Sequence, residues 1–155
     1  NTLDQAFLSD LSCLIPNGHY MATLLKVYPR MKREAHGTEY YKAGLRNISS
    51  MRKIEEYIVP IQSSESLNPI AINDYMDRVD LKETPTALSI SFLDIKYPLN
   101  HFDEIWVYSH FLLDGHHKMF AADKAQKPIT LLSFLSIDES FANKKQLEKL
   151  FQVLT

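Results

Sequence analysis

The sequence contains little cysteine, no long apolar stretch and no internal repeat, and these shortages exclude several classes of protein. Because Cys13 is the only cysteine, the chain cannot form an internal disulfide, and nothing indicates an oxidising compartment. The longest apolar runs, such as 129–135, are far shorter than the ~20 residues that a membrane-spanning helix requires. No leader with a basic start, an apolar centre and a cleavage site is visible. We therefore expect a cytoplasmic protein that does not span a membrane.

The composition is that of a folded globular chain. Hydrophobic residues make up 45% and charged residues 23% of the 155 positions, close to the globular average, which argues against disorder. A chain of this length fits one domain better than two, and no linker or low-complexity tract divides it. We predict a single domain over 1–155, with an N-terminal extension at 1–50 and a core at 54–155.

Charge is unevenly distributed, although the net charge is only −2. The segment 26–53 contains eight basic and two acidic residues, so it carries +6 and the rest of the chain −8. Such a segment can bind an anionic partner, or it can be a solvated hairpin whose charge an acidic neighbouring surface balances. Both interpretations stay open at this level.

Hydrophobic periodicity and turn residues predict a chain that mixes helices and strands. In the first third we predict a helix over 3–15, a strand over 19–28, a turn at 35–38 and a returning strand over 39–43. The last three form a basic hairpin, which a short link at 50–54 joins to the rest.

Strands and helices then follow one another in the predicted core. The strands cover 56–62, 86–93, 104–113 and 129–137, and the helices cover 70–81, 116–126 and 140–153. Asn68 and Pro69 provide the cap and first turn of the helix at 70–81. Pro60 suggests an edge strand or a bulge, and 138–140 resembles a capping box for the last helix.

The chemistry centres on the loop Asp114-Gly115-His116-His117-Lys118, which follows a predicted strand and opens a predicted helix. The first turn of a helix leaves its backbone N–H groups without internal partners, and the helix dipole adds about half a positive charge there. Gly115 lets a ligand or a tightly packed backbone come close, while two imidazoles and Lys118 add donors. This pattern is typical of a site for phosphate or another oxyanion.

Two other interpretations fit the same residues. Asp114 can be an N-cap whose carboxylate accepts from the amide of His116 or His117, with one histidine a hydrogen-bonded core residue. Alternatively, the two histidines can bind a metal ion with His110 or Asp114, although adjacent histidines rarely point at one ion. All three interpretations stay open.

The stretch 107–137, VYSHFLLDGHHKMFAADKAQKPITLLSFLSI, resembles the signature of the ParB/sulfiredoxin superfamily. That signature is a strand, a DGHHR-like loop, a short helix and a further strand, and nucleotide-dependent free serine kinases carry the closest loop. The resemblance covers about 54–140, with only the loop being specific. It implies an α+β fold with a mixed sheet and short helices, preceded here by the N-terminal helix and the basic hairpin.

The resemblance also implies how a phosphate is held. Gly115, His116 and His117 match the positions at which the family binds a nucleotide phosphate. Lys118 takes the place of the usual arginine, and lysine lacks the planar two-pronged grip of arginine on an oxyanion. Sulfiredoxin chemistry requires a thiol where this chain has His116, so it is not expected.

For catalysis, the resemblance implies ATP or ADP and Mg²⁺ as cofactors. Asp114 matches the aspartate that lies near the metal and the reacting hydroxyl in the kinases, and Glu65 occupies a place comparable to their base. Asp74 and Asp77, on one helix face, are alternative metal ligands, although such acids more often form a solvated face. The implied acceptor is a small hydroxyl compound such as free serine.

Three functions follow as hypotheses: a phosphotransferase, a non-catalytic phosphate- or nucleotide-binding regulatory module, and a nucleic-acid-binding module. In the third, basic side chains would contact the nucleic-acid backbone and tyrosines would stack on bases. These residues are Lys26, Arg30, Lys32, Arg33 and Arg46, with Tyr28, Tyr40 and Tyr41. A pI near 6.3 argues against this third function.

Overall fold

Seven segments of the chain are strands in the computed structural model, and buried positions alternate with more exposed ones along most of them. The structure describes residues 9, 12–13, 15–49, 52–80, 84–97 and 104–154. The strands are β1 (Tyr20–Val27), β2 (Arg30–Arg33), β3 (Glu39–Ser49), β4 (Arg52–Pro60), β5 (Thr86–Lys96), β6 (Ile105–Asp114) and β7 (Ile129–Ser136). The helices are α1 (Pro69–Asp80), α2 (His116–Ala125) and α3 (Lys144–Leu154), with a 3-10 turn at Ser64–Ser66.

All seven strands belong to one sheet, in the order β1-β7-β5-β6-β4-β3-β2. The pairs β4–β6 and β5–β7 are parallel and the other pairs are antiparallel. The predicted α+β class with a mixed sheet is therefore confirmed. Strands from the predicted extension and from the predicted core share this sheet.

The sheet must curl strongly, because its two edge strands are consecutive in the chain. Only Tyr28 and Pro29 separate β1 from β2, so Val27 and Arg30 lie within roughly 11 Å of each other. A flat sheet of seven strands would hold its edges roughly 29 Å apart. Helix α2 packs against β2, β5 and β7, and Asp123 accepts a hydrogen bond from the Met31 amide at 2.9 Å. The helix thus closes one end of the curled sheet.

The predicted basic hairpin exists, but its first strand is different. The turn at 35–38 joins β2 to β3, and Glu34 and Thr38 close it with a backbone hydrogen bond of 2.9 Å. The strand predicted over 19–28 pairs instead with β7, at the opposite edge of the sheet. Pro29 ends that strand, because proline has no N–H to donate to the ladder.

Three smaller predictions also need correction. The predicted link at 50–54 is largely strand, since β3 runs to Ser49 and β4 begins at Arg52. Strand β4 is interior rather than an edge, and Pro60 is simply its last residue. The capping box of α3 is formed by Asn143 and Gln146, whose side chains each accept from the other's amide, rather than by 138–140.

Helix α1 begins as predicted, with Asn68 accepting from the Ile70 amide at 2.9 Å. It packs on α2. Most of the helix predicted over 3–15 lies outside the described residues, although Ser9, Ser12 and Cys13 are helical. No helix within the described ranges is long and apolar enough to cross a membrane.

The concave face of the sheet and the apolar side of α3 form the core. Leu147 and Leu150 of α3 are buried there, and Phe151 and Leu154 pack against the same cluster. The spacing of these four residues gives one apolar stripe, and burial of each leucine contributes about 1.5–3 kcal/mol. The convex face retains exposed apolar residues, including Leu24 and Phe111.

Candidate functional site

The loop singled out by the sequence lies where a strand meets a helix. Strand β6 ends at Asp114, Gly115 is the N-cap residue, and α2 begins at His116. The Met119 amide makes the first helical bond, to the Gly115 carbonyl at 2.8 Å. The amides before it are therefore the groups that a helix leaves unsatisfied at its start.

Glycine is required at position 115 by the protein itself. Its φ is +90°, in the left-handed region that disfavours other residues. A Cβ there would lie 2.8 Å from the Ala87 Cβ and 3.0 Å from the Ala87 Cα. Of the two roles foreseen for Gly115, the structure therefore supplies the tight approach of backbone to backbone.

The capping interpretation of Asp114 is wrong. The N-cap position belongs to Gly115, which has no side chain, and no side-chain hydrogen bond caps the helix. Asp114 is instead the exposed last residue of β6. The start of α2 consequently keeps donors that no carboxylate of the described chain occupies.

His116 is buried and lacks a partner at one ring nitrogen. The residue is 8% exposed, and its Nε2 has no hydrogen-bond partner among the described residues. Burial lowers the pKa of the imidazole, and His117 lowers it further, while Asp114 acts in the opposite direction. Leaving such an atom unsatisfied costs about 1–3 kcal/mol, so its position calls for an explanation.

The ring of His117 is oriented by the segment that precedes α1. Its Nε2 accepts a hydrogen bond from the Asn68 amide at 3.0 Å. Because that nitrogen is the acceptor, the neutral ring carries its proton on Nδ1. The contact joins the start of α1 to the start of α2 and holds His117 as a preoriented donor.

Lys118 lies at the same end of the helix. Its Nζ donates to the Thr86 carbonyl at 3.1 Å and lies 5.8 Å from the centre of the Tyr75 ring. A carbonyl partner leaves two further N–H donors on the ammonium group. Lys118 can therefore serve an anion without losing its contact with β5.

These groups surround one cavity of about 590 Å³. Its lining is formed by Ile61, Gln62, Tyr75, Leu113, Asp114, Gly115, His116, His117 and Lys118. All five residues of the predicted loop are thus in the lining. Lys118 and the two imidazoles bring hydrogen-bond donors to this lining, which suits an anionic ligand.

Glu65, which the family resemblance implies as the base, does not line this cavity. Its carboxylate pairs with the Arg33 guanidinium at 3.3 Å and is largely exposed. Arg33 also pairs with Glu39, whose carboxylate accepts from the Ser64 amide and hydroxyl. Glu65 therefore belongs to an ion-pair cluster that links the hairpin to the segment before α1. Asp114 is the one carboxylate among the cavity's lining residues.

Within the described residues, no group of three or more histidine, cysteine, aspartate or glutamate side chains is arranged to hold a metal ion. His110, considered as a third ligand, is fully buried and bonded to Glu56 at 3.0 Å. Asp74 and Asp77 are exposed on α1, and Cys13 is exposed in the N-terminal segment.

A buried polar chain that crosses the sheet was not predicted from the sequence. His110 Nε2 contacts Glu56, and its Nδ1 contacts the Ser91 hydroxyl at 2.7 Å. Ser91 in turn contacts Ser133 at 2.7 Å, and Ser133 contacts the Tyr108 hydroxyl at 3.0 Å. Alternation in β5 groups Leu88, Ile90 and Phe92 as the apolar face, opposite Ser89 and Ser91, so the local pattern did not mark these serines as buried.

The predicted nucleic-acid surface is only partly available. Tyr41 is 2% exposed, so it cannot stack on a base. The Tyr40 hydroxyl donates to Glu34, and Arg33 is held by carboxylates. Tyr28 is half exposed, with the Lys26 ammonium 5.8 Å from its ring centre.

No protein-family model, curated protein or solved structure matches this chain. Its function therefore has to be inferred from the geometry of the site.

Proposed function

We propose that this protein binds the phosphate of a nucleotide, or of a related small molecule, at the start of α2, within a ParB/sulfiredoxin-like core over 54–155. The observation that carries the proposal is that His116, a lining residue of a cavity at an uncapped helix N-terminus, has a buried Nε2 without a partner among the described residues. An oxyanion there would accept from the free amides and from the imidazole. Nε2 of His116 would then make to the ligand the hydrogen bond that it lacks within the described chain.

The energetics favour an anion over a neutral ligand. Hydrogen bonds to a charged acceptor contribute about 1.5–3 kcal/mol each, roughly twice a neutral bond. The helix dipole adds about 0.3–1 kcal/mol for a negative group at this end. Lys118 supplies a full positive charge beside the same cavity.

Phosphoryl transfer to a small hydroxyl compound, such as free serine, is a second candidate. The observation that favours it is Asp114, an exposed carboxylate in the lining of the cavity that holds the proposed phosphate donors. A carboxylate in that position can accept a hydroxyl proton or bind Mg²⁺. ATP or ADP would be the phosphoryl donor, and a non-catalytic binding module is the alternative.

Binding is tested by titrating ADP, ATP and inorganic phosphate, with and without Mg²⁺, while following the melting temperature and the amide NMR signals. We expect the melting temperature to rise and the signals of Gly115 to Lys118 to shift. Lys118→Ala should weaken nucleotide binding about tenfold, the expected size for one charged hydrogen bond. Lys127→Ala, an exposed lysine just beyond the other end of α2, should leave it unchanged. If no phosphate compound binds, or if both variants lose affinity equally, the proposal is wrong.

Transfer is tested separately by incubating the protein with ATP or ADP, Mg²⁺ and free serine and measuring phosphoserine. Asp114→Asn should abolish the product while keeping nucleotide binding. Binding without any product would support the non-catalytic module instead.

A further inference from the structure

A second cavity lies on the convex face of the sheet, over β5 and β6. It encloses about 590 Å³, within the range of small-molecule sites. Its lining is formed by Pro16, Asn17, Gly18, Tyr20, Ile90, Phe92, Asp94, Ser109, Phe111, Ser136, Asp138, Glu139 and Phe141. This cavity and the cavity of the proposed phosphate site share no lining residue.

The floor of this second cavity is aromatic. Phe92 and Phe111 come from neighbouring strands and meet edge to face, with ring centres 5.7 Å apart. Phe111 is 37% exposed and Phe141, at the side of the cavity, is 79% exposed. Aromatic rings in this arrangement offer their faces and edges to an apolar or cationic guest.

Contacts with β5 and Ser136 fix the segment that carries Phe141 at the side of the cavity. Phe141 forms a β-bridge with Asp94 at the end of β5. The preceding Ser140 hydroxyl accepts from the Leu93 amide at 3.1 Å and donates to the Ser136 carbonyl at 2.5 Å. An exposed phenylalanine forgoes the favourable free energy of burial, which a bound ligand would recover.

The rim carries negative charge. Three lining residues, Asp94, Asp138 and Glu139, are acidic, and no lining residue is lysine, arginine or histidine. Lys96 pairs with Asp94 and His19 with Asp138, but both lie outside the lining. The same field acts on Tyr20, whose pKa is raised by burial and by the charges of Glu139 and Asp138.

The segments of the chain next to the cavity residues do not carry the positive charge that would complement this rim. The segments 1–14 and 98–103, which adjoin the cavity in sequence, contain no lysine or arginine and three aspartates, Asp4, Asp10 and Asp103. An acidic rim repels such segments and attracts a cation. Charge complementarity therefore favours a separate ligand as the occupant.

From the aromatic floor, the exposed Phe141 and the acidic rim, we infer that this cavity binds a small organic cation, an amine carried on an apolar body. The apolar part lies on Phe92 and Phe111, and the ammonium group faces the carboxylates of Asp94, Asp138 and Glu139. The inference is independent of the proposed phosphate site.

The test uses three probes with the same phenyl body: phenethylamine, 2-phenylethanol and 3-phenylpropionate. We expect the amine to bind at least tenfold more tightly than the alcohol, the carboxylate not to bind, and the amide signals near Phe92, Phe111 and Phe141 to shift. The double variant Asp94→Asn with Glu139→Gln should weaken amine binding about tenfold, since each rim charge contributes up to about 1 kcal/mol. Phe141→Ala should weaken all bound probes, and Asp77→Asn, an exposed acid on α1, should weaken none.

Equal binding of amine and alcohol, or no binding at millimolar concentration, would overturn the inference. So would NMR contacts showing residues 1–14 or 98–103 seated on Phe92 and Phe111. If a basic aromatic peptide binds and the amine does not, the cavity is a protein docking site rather than a site for a small cation. Since none of these probes carries phosphate, failure of the nucleotide titrations would leave this result unaffected.

Discussion

His110 and His116 are both buried, but they differ in whether their ring nitrogens have hydrogen-bond partners. This difference indicates which histidine has a structural role and which can bind a ligand. Both ring nitrogens of His110 have protein partners, whereas Nε2 of His116 has none among the described residues. A buried histidine is therefore uninformative by itself. What matters is whether every ring nitrogen has a hydrogen-bond partner within the protein. A closed set, in which every group is paired, stabilises the fold, whereas an open set leaves a group that a ligand can pair.

The His110 region closes completely under one assignment of hydrogens. Tyr108 donates to Ser133, Ser133 to Ser91 and Ser91 to His110 Nδ1, and His110 Nε2 donates to the Glu56 carboxylate. Each serine then donates once and accepts once. The chain links β7, β5, β6 and β4, so it specifies their register across the core.

The largest effect on stability should come from removing a member of the hydrogen-bonded chain around His110. Glu56→Ala leaves a buried His110 N–H without its acceptor, and removing one partner of a buried pair costs about 3–5 kcal/mol of unfolding free energy. Urea unfolding measures it. Glu55→Ala, one residue away on the half-buried side of β4, should cost much less, and His116→Ala should cost less than half of the Glu56→Ala loss. A larger loss for His116→Ala would contradict the comparison.

Gly115→Ala should cause the next largest loss of unfolding free energy. It tests how closely the backbone at the start of α2 packs against Ala87. The substitution combines a strained positive φ with a clash against Ala87, for roughly 2–4 kcal/mol in total. Gly37→Ala is the matched control, since Gly37 has φ +91° and a Cβ added there would meet nothing within 4 Å. It should show only the backbone cost of about 1–2 kcal/mol. Equal losses for the two variants would mean that contact with Ala87 plays no part.

His117→Ala should weaken binding of sulfate or phosphate about tenfold, because it removes the preoriented Nδ1 donor. His36→Ala, at an exposed turn, should have no effect. Calorimetric titration measures both. If His117→Ala binds as tightly as the unaltered protein, the imidazole does not contact the anion.

The smallest effect should be a pH dependence from His116. Burial lowers its pKa below 6.5, so without an anion the unfolded chain binds the proton more readily and stability declines as the pH falls from 6.5 through the folded pKa. A bound dianion raises that pKa, so sulfate affinity should increase a few-fold from pH 8 to pH 5.5. Sulfate is the suitable probe because its charge is constant over this range. His116→Asn should abolish the increase, and an increase that persists in this variant would show that His116 is not its source.

The loop at the start of α2 lies where the sequence predicts it, since its signals are local. Apolar residues along β6, Gly115 and the helical pattern after it lie within about a dozen positions, and each acts on its own part of the backbone. The role of Asp114 could not be predicted in the same way. Which residue is the N-cap depends on where the backbone turns from strand to helix. That turn occurs at Gly115 rather than at Asp114.

The hairpin was mispaired in the prediction for a related reason. Residues 19–28 have strand-forming composition, whereas Arg30–Arg33 are mostly basic and carry no strand signal of their own. Nothing local states that β1 pairs with β7, more than a hundred residues away, while β2 pairs with β3. The choice of partner strand depends on how the whole sheet curls.

The sequence by itself determined the α+β class, most of the strands and helices, and the chemical character of the loop at the start of α2, because these depend on short-range periodicity and residue type. Only the tertiary structure decided that His110 is closed by Glu56 and Ser91 while His116 stays open, and that Phe141 faces solvent beside an acidic rim. Hydrogen-bond partners and exposure are set by residues that are distant in the chain, and those become neighbours only when the sheet has formed.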